Sequence, residues 1–360
     1  RWHHAVGRLP GRYWKWRMQA AAITLARRLD EPSPRPDLLL ATSMLDLSVF
    51  LGLTRRWSAR LPAVYYAHET QLTYPQADVD PDWEASRRRR ALRDDREYGL
   101  INLRAMLAAD AVWWNSRYHR DSYLQALPGF LKGFPDHREQ AAVRRIRRRS
   151  QVMPVGLDLA ALDAARPPAR RPGPLRVLWN HRWEHDKGPD RLLRLMDAAA
   201  ARELPVQWVI MGAGIERADG QRAALLQRYR ERIHHLGYLP DRAAYAQLLW
   251  QSDIVLSTAR HDFFGLAVAE ALACGCLPLL PDDLAYPELL PPDLAELGLY
   301  SDEADCLGRL AAWVEALGGD GALVRDARPR AAVRMLDWRL LAPRYDAALS
   351  AVLHAHASDV

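Results

Sequence analysis

Short apolar runs alternate with longer amphipathic ones along the whole chain. That is the pattern of parallel βα units, whose strands are buried on both faces and read as continuous hydrophobic stretches. In the first half, strands are predicted at 38–42, 63–67, 111–115 and 152–155, and the longest helical pattern covers about 82–109. The segment ARPPARRPGP at 165–174 breaks the alternation; dense in Pro and Arg and without an apolar period, it reads as a linker. A cleaner series follows, with strands predicted at 175–179, 206–211, 233–236, 254–257 and 277–280 and helices at 188–201, 219–232, 241–250 and 265–274. The tail from about 303 to 356 is helical, with turn signals such as GGDG. The expected organisation is α/β: a Rossmann-like domain at 1–164, the linker at 165–174, a second Rossmann-like domain at 175–335 and a C-terminal helix at 336–360. Two doubly wound halves imply a cleft between them, with ligands at the carboxyl ends of strands.

Composition narrows the class. The 360 residues are 49% apolar and 26% charged, normal for a soluble globular chain of about two domains. No apolar run approaches the roughly 18 residues of a membrane span. The start, RWHHAVGRLPGRYWKWRM, has no apolar core of a signal peptide. Cys274, Cys276 and Cys306 make neither a disulfide framework nor a repeated zinc pair. A cytoplasmic protein without stable membrane association is expected. The net charge of +6 is concentrated in Arg87–Arg90 and in Arg144, Arg145, Arg147, Arg148 and Arg149. Such runs favour polyanions through counterion release; the alternative is a solvated arginine-rich face.

Three constellations carry chemistry. The first is WNHRWEHDKGPDRLL at 179–193, between a predicted strand and a helix. Arg182 and Lys187 stand five residues apart across the joint, and Pro189 suits the first turn of the helix. Arg182 can fork two phosphate oxygens, Lys187 supplies a point charge, and a helix N-terminus itself favours anions. The alternative is a surface loop in which Arg182 and Lys187 pair with Glu184 and Asp186. The second is VIMGAGIE at 209–216, where Gly212 and Gly214 follow a strand and allow a tight turn and close approach to a ligand, or only the turn. The third is STARHDFFGLAVAEALACGCLPLLP at 257–281. Asp262 precedes a helix that Gly265 opens, and Glu270 lies eight residues on, inside it. One carboxylate can meet a sugar and the other a ribose, while the N–H groups of Phe263, Phe264 and Gly265 would lie near a diphosphate. The plainer alternative makes Asp262 a helix cap and Glu270 a solvated residue. His181 and His185 have no Glu or Cys set around them for zinc, and no metal is expected.

The half from 175 to 281 resembles the donor domain of GT-B glycosyltransferases of the family 4 type. In that family an Arg and a Lys hold the diphosphate and an acid-x7-acid pair holds sugar and ribose. Asn180, Arg182, Lys187, Gly212, Gly214, Phe263, Phe264, Gly265 and Glu270 fall on the donor-binding segments, with Asp262 where Glu is usual. The phrases YYAHETQLTYP (65–75), REYGLINLRAMLAADAVWWNSRYHRDSYL (96–124) and NHRWEHDKGP (180–189) resemble tRNA-queuosine mannosyltransferases and their bacterial relatives, over about Leu9 to Glu288. The resemblance implies a GT-B fold and a retaining transfer of mannose from GDP-mannose to the cyclopentenediol of queuosine in tRNA, with neither metal nor further cofactor. It makes His68, Glu69 and Asp262 the catalytic candidates. On the acceptor side it places Gln71, Asn102, Asn115, Ser116 and His119. His68-Glu69-Thr70-Gln71 departs from the family's HENQ motif at Thr70. From the residues alone, His68 reads first as a satisfied loop histidine, and Ser116 reads equally as a helix N-cap.

Such a first domain normally opens with a strand and a Gly-rich loop, whereas this chain starts almost at once with a helix-like segment, so its first strand or strands are expected to be missing. Two other functions compete. One is a transferase acting on a lipid or polysaccharide, since GRYWKWRMQAAAITLARRL (11–29) has the basic and aromatic composition of an interfacial helix. The other is a non-catalytic protein that binds tRNA or a nucleotide.

Overall fold

The structure is a computed structural model and describes residues 2–11, 13–30, 34–74, 85–168, 173–215, 220–317 and 327–359, except for the side chains of 85–95, 221, 222, 225 and 359. The chain forms two compact units: Arg1–Pro154 with Ala342–Val360, and Val155–Leu341. The first unit runs α1 (Trp14–Arg28), β1 (Leu39–Thr42), α2 (Leu47–Ser58), β2 (Ala63–Ala67), α3 (Ala85–Ala108), β3 (Ala111–Trp114), α4 (Arg117–Lys132), α5 (Ala141–Arg149) and β4 (Ser150–Val152). Its four strands pair in parallel in chain order, β1-β2-β3-β4. The alternation of a strand governs the two faces. Tyr65 and Trp114 face a core with Met106, Tyr123, Leu127 and Ile146. Val64, Tyr66 and Trp113 face a smaller cluster with Met153. Trp113 and Trp114 are fully buried and serve as core residues.

β4 starts and ends earlier than the predicted 152–155. The Met153 N–H still donates to the Trp114 carbonyl at 2.7 Å, but Pro154 follows and has no N–H to continue the ladder. No strand precedes α1 among the described residues.

The second unit runs α6 (Leu159–Ala164), β5 (Leu175–Trp179), α7 (Pro189–Ala201), β6 (Val206–Met211), α8 (Gly220–Arg228), β7 (Ile233–Gly237), α9 (Arg242–Trp250), β8 (Ile254–Leu256), α10 (Leu266–Ala273), β9 (Leu277–Pro281), α11 (Pro292–Gly298), β10 (Leu299–Tyr300), α12 (Glu303–Leu317) and α13 (Arg328–Val333). All six strands are parallel, in the order β10-β9-β8-β5-β6-β7. The chain winds outward from β5 through β6 to β7, then returns to β5's other side with β8. The strand order therefore reverses between β5 and β8, the topological switch point at which such sheets bind ligands. Trp179, Trp183 and Trp208 pack in the main core of this unit.

The division falls at 154/155 rather than at the expected 164/165, because α6 is tied into the second unit. The Trp250 indole donates to the Leu162 carbonyl at 2.8 Å, and Arg330 pairs with Asp163 at 2.7 Å. The last helix, α14 (Trp338–Asp359), belongs to the first unit from Ala342 onward. There Tyr345 donates its hydroxyl to the Pro154 carbonyl at 2.9 Å and meets the Tyr66 hydroxyl at 2.9 Å.

Candidate functional site

In the second unit the loops after β5 and β8 meet at the switch point. The first winds through a 3-10 turn at His185–Lys187 and enters α7 at Gly188 and Pro189. The second straps it down. Thr258 donates its hydroxyl to the Lys187 and Gly188 carbonyls, both at 2.9 Å. The N–H groups of Arg260 and His261 donate to the Asp186 carbonyl at 2.8 and 3.1 Å, and Arg260 forks the Asp190 carboxylate at 2.7 and 2.6 Å. Gly188 has φ 61°, and a methyl there would run into the Thr258 carbonyl, so close approach of two backbones requires glycine.

Lys187 lies in the middle of this joint. Its ammonium donates to the His261 carbonyl at 2.8 Å and faces Asp186 at 3.3 Å and Asp262 at 3.5 Å. Its side chain is 14% exposed. Arg182 differs: its side chain is 60% exposed and reaches to Glu184, at 3.2 Å. Both cations therefore make the local pairs that a plain surface loop would make. The difference lies in burial, since Lys187 bridges two loops and Arg182 remains open to solvent. His181 is buried, and its Nε2 has no hydrogen-bond partner among the described residues. Burial, aided by the nearby Lys187 charge, lowers its pKa to about 4, and the same causes do so at His261. Both rings are neutral near pH 7. His185 is exposed. Among the described residues no group of three or more His, Cys, Asp or Glu is placed to hold a metal ion.

Gly212 and Gly214 form the turn after β6, and its Ala213 carbonyl accepts from the Trp183 N–H at 2.8 Å. A methyl on Gly212 would strike the His181 carbonyl. Its role in the fold is to let this turn press against the 181–183 backbone.

Asp262 and Glu270 are both well enclosed. The Asp262 carboxylate accepts from the N–H groups of Phe264 at 3.2 Å and Gly265 at 2.8 Å and from the Tyr286 hydroxyl at 3.2 Å. Burial would raise its pKa, but Lys187 and these N–H groups outweigh it and hold the carboxyl below its ordinary value. Two of the three amides expected near a diphosphate are thus turned to Asp262. Phe263 is buried with its ring against His261, 4.2 Å between centroids. Glu270 is 8% exposed, not a solvated helix residue. Tyr245 donates its hydroxyl to Glu270 Oε2 at 2.8 Å, and Arg242 pairs with Oε1. Asn180, at the end of β5, donates to the Ala267 carbonyl at 2.8 Å and approaches the Tyr245 hydroxyl at 3.4 Å. Arg242 and Tyr245 were not among the sequence candidates. Their spacing of three at the start of a helix, just after a strand end, is the signal that marks them.

In the first unit the loop after β2 carries His68, Glu69, Thr70 and Gln71. His68 is exposed and packs against Tyr66 at 4.3 Å, and enclosure on that side lowers its pKa. Gln71 donates its side-chain amide to Glu69 at 2.9 Å. The other candidates are buried beneath this loop. Asn102 accepts from the Gln71 N–H at 2.9 Å and donates to Tyr65 at 3.0 Å and to the Ser43 carbonyl at 3.3 Å. Asn115 donates to the His68 carbonyl at 2.9 Å and pairs with His119 Nδ1 at 2.8 Å. His119 Nε2 meets the Thr70 hydroxyl at 3.1 Å, so the departure at Thr70 is accommodated inside the unit. Ser116 caps α4, accepting from the His119 N–H at 2.9 Å. Asn102, Asn115 and His119 hold the shape of the 68–71 loop; His68, Glu69 and Gln71 are the ones solvent reaches.

Of the basic runs, the side chains of Arg87–Arg90 lie outside the described residues. On α5, Arg144, Arg145, Arg147 and Arg148 are exposed, while Arg149 donates to the Ala109 carbonyl at 2.5 Å. On α1, Trp14 and Trp16 are exposed. No described helix is long and apolar enough to cross a membrane.

Residues 3–157 match the family of tRNA-queuosine alpha-mannosyltransferase N-terminal regions, and residues 137–283 match family 4 glycosyltransferases in conflict systems. The tRNA-queuosine alpha-mannosyltransferase of Drosophila melanogaster is 30% identical over 297 residues, which is 79% of this chain and 74% of that protein. The GDP-mannose:cellobiosyl-diphosphopolyprenol alpha-mannosyltransferase of Xanthomonas campestris is 29% identical, over 55% of this chain and 51% of that protein. Among solved structures, sucrose-phosphate synthase from Thermosynechococcus elongatus superposes with a TM-score of 0.65 at 16% identity, covering 97% of this chain and 81% of that one. An alpha,alpha-trehalose 6-phosphate synthase from Burkholderia multivorans does so at 0.63 and 16% identity, over 98% and 78%.

Proposed function

The chain belongs to the tRNA-queuosine alpha-mannosyltransferase family of GT-B glycosyltransferases, and from that premise we propose that it moves mannose from GDP-mannose to the cyclopentenediol of queuosine in tRNA, with retention of configuration. The observation that carries the donor half is the contact of Lys187 with Asp262 at the switch point of the six-stranded sheet, with Arg182 on the same loop after β5 and Glu270 tied through Tyr245 to Asn180 at the end of β5. In this reading Lys187, already fixed between the two loops, offsets charge on the departing GDP. Arg182, exposed and held by a surface pair, swings onto the diphosphate as a fork. Ionised Asp262 accepts hydrogen bonds from the sugar hydroxyls, and Glu270 accepts the ribose diol. Asp262 is one methylene shorter than the Glu usual in family 4, which bears on sugar preference. In the first unit, His68 and Glu69 are the solvent-accessible groups of the 68–71 loop that would handle the incoming hydroxyl. Charge on the diphosphate is met by side chains throughout, so the reading calls for no metal.

The test incubates the protein with queuosine-containing tRNA and a panel of sugar nucleotides, followed by nucleoside mass spectrometry. A hexose added to queuosine with GDP-mannose alone is the expected result. Asp262→Ala and Glu270→Ala should abolish product yet leave tRNA binding nearly unchanged; equal loss of both would sink the assignment of separate donor and tRNA-binding surfaces. A second reading, transfer to a lipid-linked acceptor, is favoured by the exposed Trp14 and Trp16 on α1, at 41% and 58%. Firm flotation with anionic liposomes, and no product on tRNA, would select it.

A further inference from the structure

Three polar groups form one connected chain with Glu270 of α10: Asn180 at the end of β5 and Tyr245 and Arg242 on α9. We propose that Arg242 is a positioning residue for Glu270, fixing its carboxylate plane so that it selects a nucleotide carrying an intact ribose diol. The inference rests on the reading of Glu270 as the ribose acid.

Asp241 caps α9, accepting from the Ala243 and Ala244 N–H groups at 3.1 and 3.2 Å. That cap fixes the first turn, so Arg242 and Tyr245 project together from one face. The guanidinium lies over the Tyr245 ring, 4.9 Å from its centroid. Arg242 spans the carboxylate, pairing closely with Oε1 and reaching Oε2 at 3.5 Å, while Tyr245 donates to Oε2 at 2.8 Å. A carboxylate has about four acceptor positions, two on each oxygen. The two close bonds take one position on each oxygen; the second position on Oε1 is open, and the one beside it on Oε2 is met only by the long Arg242 contact at 3.5 Å. That is the acceptor pattern a vicinal diol satisfies with two donated hydrogen bonds. Burial matters here too. Glu270's side chain is only 10% exposed, whereas Arg242's is 59% exposed. The arginine is thus the solvent-side wall of an otherwise enclosed acid and gives no core packing of its own. The Asn180 Oδ1, also buried, has no hydrogen-bond partner among the described residues. It leaves a further acceptor next to the same group, consistent with a hydroxyl-rich ligand.

The test uses nucleotide binding by calorimetry, with GDP and 2′,3′-dideoxy-GDP as probes. Arg242→Met keeps a stem over Tyr245 but removes the fork. It should weaken GDP about tenfold while changing dideoxy-GDP less than about twofold, so the ribo-to-dideoxy ratio collapses. In turnover with GDP-mannose the same variant should raise KM about tenfold and move kcat less than about threefold. Arg242→Lys should restore part of the ratio, since it returns charge without the planar fork. Glu270→Gln is the companion variant. If it collapses the ratio and Arg242→Met does not, the positioning role is overturned and the donor reading stands. If neither variant changes the ratio, Glu270 is not the ribose acid and the donor reading itself fails. If Arg242→Met weakens both probes equally, with a matching fall in melting temperature, the arginine is merely structural and the proposal is refuted.

Discussion

Lys187→Met should unfold the second unit at markedly lower temperature near neutral pH, and much less so in acid. The ammonium pairs with both Asp186 and Asp262, and both carboxylates are largely enclosed, at 6% and 17% exposure. Removing one member of a buried pair costs about 3–5 kcal/mol, because the remaining charge loses its partner without regaining water. Partial exposure of Asp262 reduces this to roughly 2–3 kcal/mol. For a unit of 187 residues, Val155–Leu341, that is a drop of about 4–12 °C. The sign with pH follows from the neighbours. Lys187 holds Asp262 below its ordinary pKa and helps push His181 and His261 down to about 4. Without the cation all three take protons at higher pH, so at pH 5 the variant sheds its stranded carboxylate charge, whereas wild-type Asp262, held below its ordinary pKa, stays ionised and paired. Thermal unfolding by circular dichroism at pH 7.5 and pH 5 should show the gap between the two proteins narrowing. Lys187→Met with Asp262→Asn should recover about 1 kcal/mol of the loss, since the stranded charge is gone. A melting temperature within 2 °C of wild type at pH 7.5, or a gap of equal size at both pH values, would refute the buried-triad reasoning.

The two buried histidines predict a second acid effect. Their folded pKa values near 4 lie below the ordinary 6.5, so the unfolded chain binds protons first, and stability falls as pH drops from about 6.5 toward 4. By pH 5 this amounts to roughly 2 kcal/mol per histidine. Urea unfolding at pH 8 and pH 5 measures it, and His181→Gln should remove about half of the pH-dependent loss; an unchanged slope would contradict burial of a neutral ring. In the first unit, Asn102→Ala breaks three hydrogen bonds and leaves the Gln71 N–H and Tyr65 hydroxyl short of partners. A loss of about 2–3 kcal/mol is expected, with faster hydrogen exchange at Gln71; stability unchanged within about 0.5 kcal/mol would show that water replaces the amide.

How much of the fold is legible in the amino-acid sequence depends on where the controlling interactions lie. The strands at 63–67, 175–179 and 206–211 have their predicted bounds because each is a continuous apolar run closed by polar or turn residues. The two-residue β10 is too short to show any period. The helix predicted over 219–232 ends at Arg228 and gives way to a 3-10 turn at Arg230–Arg232. The division between units was less legible, and for a physical reason. Whether 155–164 and the last helix join one unit or the other is decided by contacts such as Trp250 with Leu162 and Tyr345 with Pro154. Those contacts span 88 and 191 residues, far beyond any local pattern.

The candidate site divides along the same line. Spacing marks Arg182, Lys187, Asp262 and Glu270 as candidates, because the loops at strand ends and the helices they open are carried to one edge of the sheet by topology alone. Spacing could not tell which polar residues face a ligand and which face the protein. Asn102, Asn115, Ser116 and His119 have the chemistry of ligand-binding groups, yet each is nearly or fully buried, three of them engaged with the loop above and Ser116 capping α4. A buried backbone turn needs the same donors and acceptors as a sugar does, and loops lack the periodicity that separates the two faces of a helix or strand. The converse error has the same cause. Arg242 looks like one more surface arginine in a chain rich in them, and only the packing of α9 against α10 sets it on Glu270. Residue type therefore identifies the chemistry available at this edge of the sheet, while the direction of each hydrogen bond is a property of the fold.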